Sequence, residues 1–195
     1  MSGPLAVPTL VDSFGYFFPS RSKLFGNNPK LSEIETELRA QIDKALLAGL
    51  KIDYLDYHMG AAMQTPETRA IVEKLAAEYK VAISRYYDEV DVEGGYSAPV
   101  SNKLDTMLIK VKNLQPGGTK LFVVHIGLDD PEMSAMEDLN PSGPKEMSKH
   151  RYAELKTMVS PQLQELLRDP KYRLINYRIL NEEKGLGTMK RPVVN

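Results

Sequence analysis

EIETELRAQIDKALLAGLKIDYLDYHMG, residues 33–60, changes its hydrophobic period partway along. Leu31, Ile34, Leu38, Ile42 and Leu46 fall on one face at helical spacing, which predicts a helix over about Ser32–Ala48. Ser32-Glu33-Ile34-Glu35 reads as a capping box at its start, and Gly49 as a stop. A short strand is expected next, about Lys51–Asp56, with Asp56, Tyr57 and His58 at its end.

The same alternation continues outward. Thr65 precedes a second helix with Pro66 at its first position, where a missing N–H costs nothing; Ile71, Val72, Leu75 and Ala76 form its buried face through Tyr79. A strand over Val81–Ser84 leads to a loop over 88–101 that holds Gly94-Gly95. Leu104, Met107, Leu108, Val111 and Leu114 predict a third helix, closed by Gln115-Pro116-Gly117-Gly118. Leu121–Ile126 reads as a buried strand, 129–148 as a long acidic, Pro-rich loop. Two helices, about 149–158 and 161–168, precede a last strand over Arg173–Tyr177, and the tail 185–195 is expected to be poorly structured. Before the first helix, Thr9–Val11 is expected to be a short extended piece, and Gly15 suits a turn after Asp12-Ser13. Strand and helix in turn predict an α/β fold with a parallel sheet.

The 195 residues are 42% hydrophobic, enough for a sizeable core and one domain over 1–195. A net charge of -1 without a Lys/Arg block argues against nucleic acid as a partner. No apolar run is long enough to span a bilayer, and Pro4 and Pro8 interrupt the only one that could serve as a leader. The absence of cysteine excludes disulfides, thiolate metal sites and a cysteine nucleophile, and fits the cytoplasm.

Parallel α/β folds bind ligands at the carboxyl ends of their strands, and polar residues fall there three times. Asp56 and His58 follow the first strand, Arg85 the second, and His125 lies at the end of the third, in Leu-Phe-Val-Val-His-Ile. Asp56-x-His58 is either a metal-ligand pair or a turn cap beside a half-exposed imidazole. His125 is an acid/base group or a hydrogen-bonded core histidine; Arg85 is a substrate clamp or a solvated strand end. Asp129, Asp130, Glu132, Glu137 and Asp138 lack calcium-loop spacing and read as a solvated acidic loop. His150-Arg151 opens a helix and reads as structural; Met133, Met136, Met147 and Met158 read as packing anchors.

Several segments, in order, resemble the YdjC-type (ChbG-type) carbohydrate deacetylases. VPTLVDSFGYFFPS is similar to that family's PSLVD-x-DG-x-F stretch, and the 33–60 segment to its helix and strand ending in THLDSH-x-H. IVEKLAAEYKVAISR resembles the helix and strand ending in the family's arginine, and LFVVHIG its HPG strand. HRYAELKTMVSPQLQELL and YRLINYRIL resemble its R-x-x-EL-x-x-L-x-SP helix and final LISY strand. The resemblance implies a partial (β/α) barrel-like parallel sheet with surrounding helices, a divalent metal ion (Mg or Zn), and hydrolysis of an N-acetyl group from an amino sugar or oligosaccharide. By position it makes Asp56 and His58 metal ligands, sets Arg85 against substrate, and makes His125 the general acid.

Departures accompany it. Gly60 stands at the family's second histidine and Tyr54 at the histidine before LD, a pattern closer to members reading DSHMG. The family's DDFG strand and HLTL-like strand, which supply the remaining ligands and the catalytic base, have no counterpart in these residues. The expected cation is therefore weakly held, since catalytic sites use about three protein ligands. Little or no deacetylation is expected of these residues alone. The alternative is a catalytically incomplete chain that serves as a binding or assembly module, pairing with itself or another chain through uncovered sheet edges.

Overall fold

The computed structural model describes residues 2–137 and 143–192, and they form an α/β protein with short parallel strand pairs. Contacts divide it into two compact units. One runs through Tyr87 and resumes at Asn176; the other is Asp88–Ile175.

The first unit is built on two amphipathic helices. Helix α2 (Leu31–Leu47) buries Ile34 and Ile42, and α3 (Pro66–Tyr79) buries Ile71, Val72, Leu75 and Ala76. Gly49, at φ +80°, lets the chain leave α2 through the left-handed region. Thr65 and Thr68 form a reciprocal capping box at the start of α3. The box expected at Ser32 does not form. Lys30 is the N-cap without a side-chain bond, Glu33 turns to the Thr9 amide and hydroxyl (2.7 Å each), and Glu35 meets Arg39 and Lys74. The Glu33 bonds hold the N-terminal piece: Val7 is fully buried, Leu10 nearly so, and α1 (Arg21–Gly26) follows, capped by Ser20. Val11 bridges Phe17 around the expected turn, but Pro8–Leu10 is a 3-10 turn rather than extended.

Strands β1 (Tyr54–Leu55) and β2 (Ala82–Ile83) pair in parallel, Tyr54 against Ala82 and Leu55 against Ile83. Ile52 and Leu55 pack with Val72, Ala76, Val81 and Ile83, so the pair lies on the apolar face of α3.

The second unit repeats the scheme. β3 (Val90–Val92) pairs in parallel with β4 (Lys120–Phe122), separated by α4 (Lys103–Lys112). β3 lies within the stretch expected to be a loop. The apolar run after Lys120 keeps only three residues in the ladder, and Val123 (43%) and Ile126 (54%) are exposed, so it is not a buried strand. The acidic stretch contains a short helix, α5 (Pro131–Ser134), and Asp138 lies outside the described residues. Helices α6 (Met147–Met158) and α7 (Pro161–Leu167), the latter capped by Ser160, match expectation. Met107, Val111 and Leu163 are the centre of this unit's core.

Arg173–Tyr177 is not a strand. The Asn176 side chain accepts the Ile179 amide and starts a helix, α8 (Tyr177–Lys184), which belongs to the first unit. Nor are residues 185–192 loose. Leu186–Thr188 forms a 3-10 turn, the Lys190 amide donates to the Tyr86 carbonyl (2.8 Å), and Arg191 makes a two-pronged bond to Glu73 (2.7 and 2.6 Å).

Candidate functional site

In the first unit the strand register sets the geometry. Leu55 lies opposite Ile83, so Asp56 and Ser84 leave the pair side by side, with the Ser84 amide on the Leu55 carbonyl at 2.9 Å. The buried Ser84 hydroxyl donates to Asp56 Oδ1 at 2.5 Å, and Arg85 Nη1 donates to the same oxygen at 3.2 Å. The guanidinium lies 5.3 Å from the centre of the Tyr57 ring, within cation–π range.

Arg85 is held in an unusual backbone state, φ +69°, uncommon for a non-glycine residue and a frequent mark of functional sites. Its amide donates to the Tyr177 hydroxyl (3.2 Å), and the Tyr177 ring stacks on Tyr54 at 4.1 Å. Helix α8 is pinned in turn to Asp53, by Arg178 at 3.2 and 2.9 Å and by Asn181 on its carbonyl at 2.9 Å. The last helix of the unit therefore fastens the ends of both strands.

A cavity of about 310 Å³ reaches Asp56 and Tyr57 from the side of α2. Its walls are mainly apolar, with Phe17, Phe25 and Leu38 among them, and Glu37 supplies a buried carboxylate. That carboxylate accepts the Ser2 amide and the Gln41 side chain, both at 2.7 Å. An apolar concavity with a few fixed polar groups is the usual form of a small-molecule site.

The second unit holds His125, three residues past β4 rather than at its end. Its amide donates to Glu154 Oε2 at 2.6 Å, and its ring packs on Tyr96 with centroids 4.2 Å apart. Glu154 and Lys103 form an almost fully buried ion pair at 3.0 Å. His150 lies in α6 of the same unit. Burial pushes its pKa below the ordinary value and the Lys103 charge adds to this, while the Tyr96 carbonyl, Glu154 and Glu146 pull it back.

Asp56 and Arg85 are thus together in one unit, and His125 belongs to the other. The side chain of His58 lies outside the described residues. Among those described, no three His, Asp or Glu side chains gather as a metal-binding group, and the Asp56 oxygen that carries Arg85 faces a positive charge already. The described residues do not fit a metal centre by themselves. In the acidic loop Asp130 caps α5 by accepting the Met133 amide, a structural role.

Ser84, Tyr177, Lys103 and Glu154 escaped the sequence reading. Lys103 carried a signal, because it shares the i, i+4, i+8 stripe of α4 with buried Met107 and Val111.

The sequence profile of the YdjC-like protein family matches residues 1–169. A carbohydrate deacetylase of Brevibacillus brevis is 40% identical over 77 residues, which are 40% of this chain and 30% of that protein. One of Oceanobacillus iheyensis is 37% identical over 82 residues, 42% of this chain and 35% of the relative. Carbohydrate deacetylase 1 of Listeria innocua is 29% identical over 178 residues, 88% of this chain and 70% of its own. The chain thus spans about a third of the first two relatives. A crystal structure from Enterococcus faecalis V583, of a candidate cellobiose-phosphate cleavage protein, superposes with a TM-score of 0.71 at 19% identity. It covers 92% of this chain and 72% of the other, and shows a shared fold.

Proposed function

Because the chain belongs to the YdjC-like protein family, we propose that it serves the hydrolytic N-deacetylation of amino sugars or their oligosaccharides. Three relatives named carbohydrate deacetylase support the reaction class. One structural observation carries the reading to residues: Asp56 and Arg85, from adjacent parallel strands, meet at 3.2 Å beside an apolar cavity.

In this reaction water adds to the acetyl carbonyl, the C–N bond breaks, and acetate and a free amine result. Arg85 holds a substrate oxygen through its planar donor fork, with Tyr57 beneath it and Asp56 as its counter-charge. To His125, in the other unit, the resemblance assigns the general acid that gives a proton to the leaving nitrogen, a role that supplies typically about 10²–10⁴-fold. The resemblance assigns Asp56 and His58 to a divalent cation, Mg or Zn, weakly held. Barrel-like closure of the sheet and a cytoplasmic location belong to the same proposal, supported by the parallel pairing and the lack of cysteine. The test is acetate release from an N-acetylglucosamine oligomer by the intact chain and by Arg85→Ala and His125→Gln.

A second reading is a catalytically incomplete chain that binds carbohydrate or assembles with a second copy. It is favoured by the guanidinium on Asp56, which takes the place a metal cation would have beside that carboxylate. Carbohydrate binding without acetate release, or a dimer on gel filtration, would select it.

A further inference from the structure

We propose that Glu154, held by Lys103, is the positioning residue of His125. This deepens the reading of His125 as the acid and rests on it.

Two independent links run from the ion pair to the imidazole. Glu154 Oε2 accepts the His125 amide at 2.6 Å and lies 3.9 Å from its Nδ1, so the carboxylate fixes the backbone that carries the ring. Lys103 Nζ, on the other carboxylate oxygen at 3.0 Å, also donates to the Gly95 and Tyr96 carbonyls, at 3.1 and 2.6 Å. That fixes Tyr96, whose ring packs on His125. The loop is pressed close by Gly94: a Cβ there would sit 2.1 Å from the Val123 carbonyl, two residues before His125. One buried pair thus sets both the backbone of His125 and the surface its ring rests on.

Stability does not explain such a pair. The side chains are 2% and 3% exposed, and desolvating two charges offsets most of their attraction. An apolar pair of similar volume would tie α4 to α6 as well. What it could not do is accept the His125 amide and hold the Tyr96 carbonyl.

The test is NMR of the full chain with labelled histidine. The sequence has three histidines, so three ring systems are assignable with His58→Gln and His150→Gln. The readout is the ring-current displacement that Tyr96 imposes on the His125 ring protons, defined by its loss in Tyr96→Leu. Glu154→Gln and the double variant Lys103→Met/Glu154→Leu are expected to fold and to lose that displacement. Retention of the displacement in either folded variant overturns the proposal. Failure of both variants to fold also overturns it, because the pair is then an element of the fold rather than a positioning device. Where turnover is measured, Glu154→Gln lowers kcat about 10–100-fold with KM unchanged. Full activity of His125→Gln would remove the acid reading while leaving the NMR result standing.

Discussion

Asp56 Oδ1 accepts both the Ser84 hydroxyl and the Arg85 guanidinium, so the ends of β1 and β2 are joined through one carboxylate oxygen. The Asp56 side chain is 51% exposed and that of Arg85 22%, so the ion pair is worth about 1 kcal/mol or less. Its value is geometric: it aims a planar donor. Arg85→Lys keeps the charge but loses the fork. The expected outcome is a melting temperature close to that of the parent and carbohydrate binding at least tenfold weaker by calorimetry, about 1.4 kcal/mol. Unchanged binding would remove Arg85 from the site.

Gly94 faces backbone rather than a yielding side chain, since the Val123 carbonyl lies 2.1 Å from where a Cβ would be. Gly94→Ala must push the loop away from the segment before His125, at a cost of about 1–3 kcal/mol. Urea unfolding should show that loss, and the His125 amide resonance should move with it. Gly117→Ala is the control, because its Cβ meets nothing within 4 Å and only its φ of +83° resists.

Burial and then the Lys103 charge hold His150 below the ordinary histidine value of 6.5. The unfolded chain therefore takes up a proton near that value, and the folded chain only at lower pH. The stability due to neutral His150 is complete above 6.5 and is lost as pH falls through the folded value. Urea midpoints between pH 7.5 and 5 should fall less steeply for His150→Gln than for the parent. Parallel slopes would show that His150 titrates as in the unfolded chain.

Cation affinity is a separate prediction. Isothermal titration with Zn²⁺ or Mg²⁺ should give shallow binding that His58→Gln weakens further. Tight, stoichiometric uptake by these residues would contradict the expected weakness of the site.

The long amphipathic helices were legible to within about two residues, because α2, α3 and α4 carry a sustained 3.6-residue period. Asp56 and Arg85 were legible as polar residues at the ends of apolar strands. Strand β3 was not, since Val90-Asp91-Val92 is too short to show a period. Residues 173–177 misled through β-prone Tyr, Leu and Ile, while a local bond, Asn176 to the Ile179 amide, started a helix. The Lys103–Glu154 pair was hidden for another reason. Charged residues are expected to face water, and only the meeting of two helices shows each one the other. The Arg191–Glu73 bond that fastens the tail joins residues 118 positions apart, beyond any local pattern.

The most direct measurement is acetate released from an N-acetylglucosamine oligomer at a large excess of Zn²⁺ or Mg²⁺, for the parent, Arg85→Ala and His125→Gln. The account predicts slow release by the parent, lost in both variants while they remain folded. No release above the protein-free blank would select the non-catalytic reading, and release that neither substitution alters would contradict the roles of Arg85 and His125.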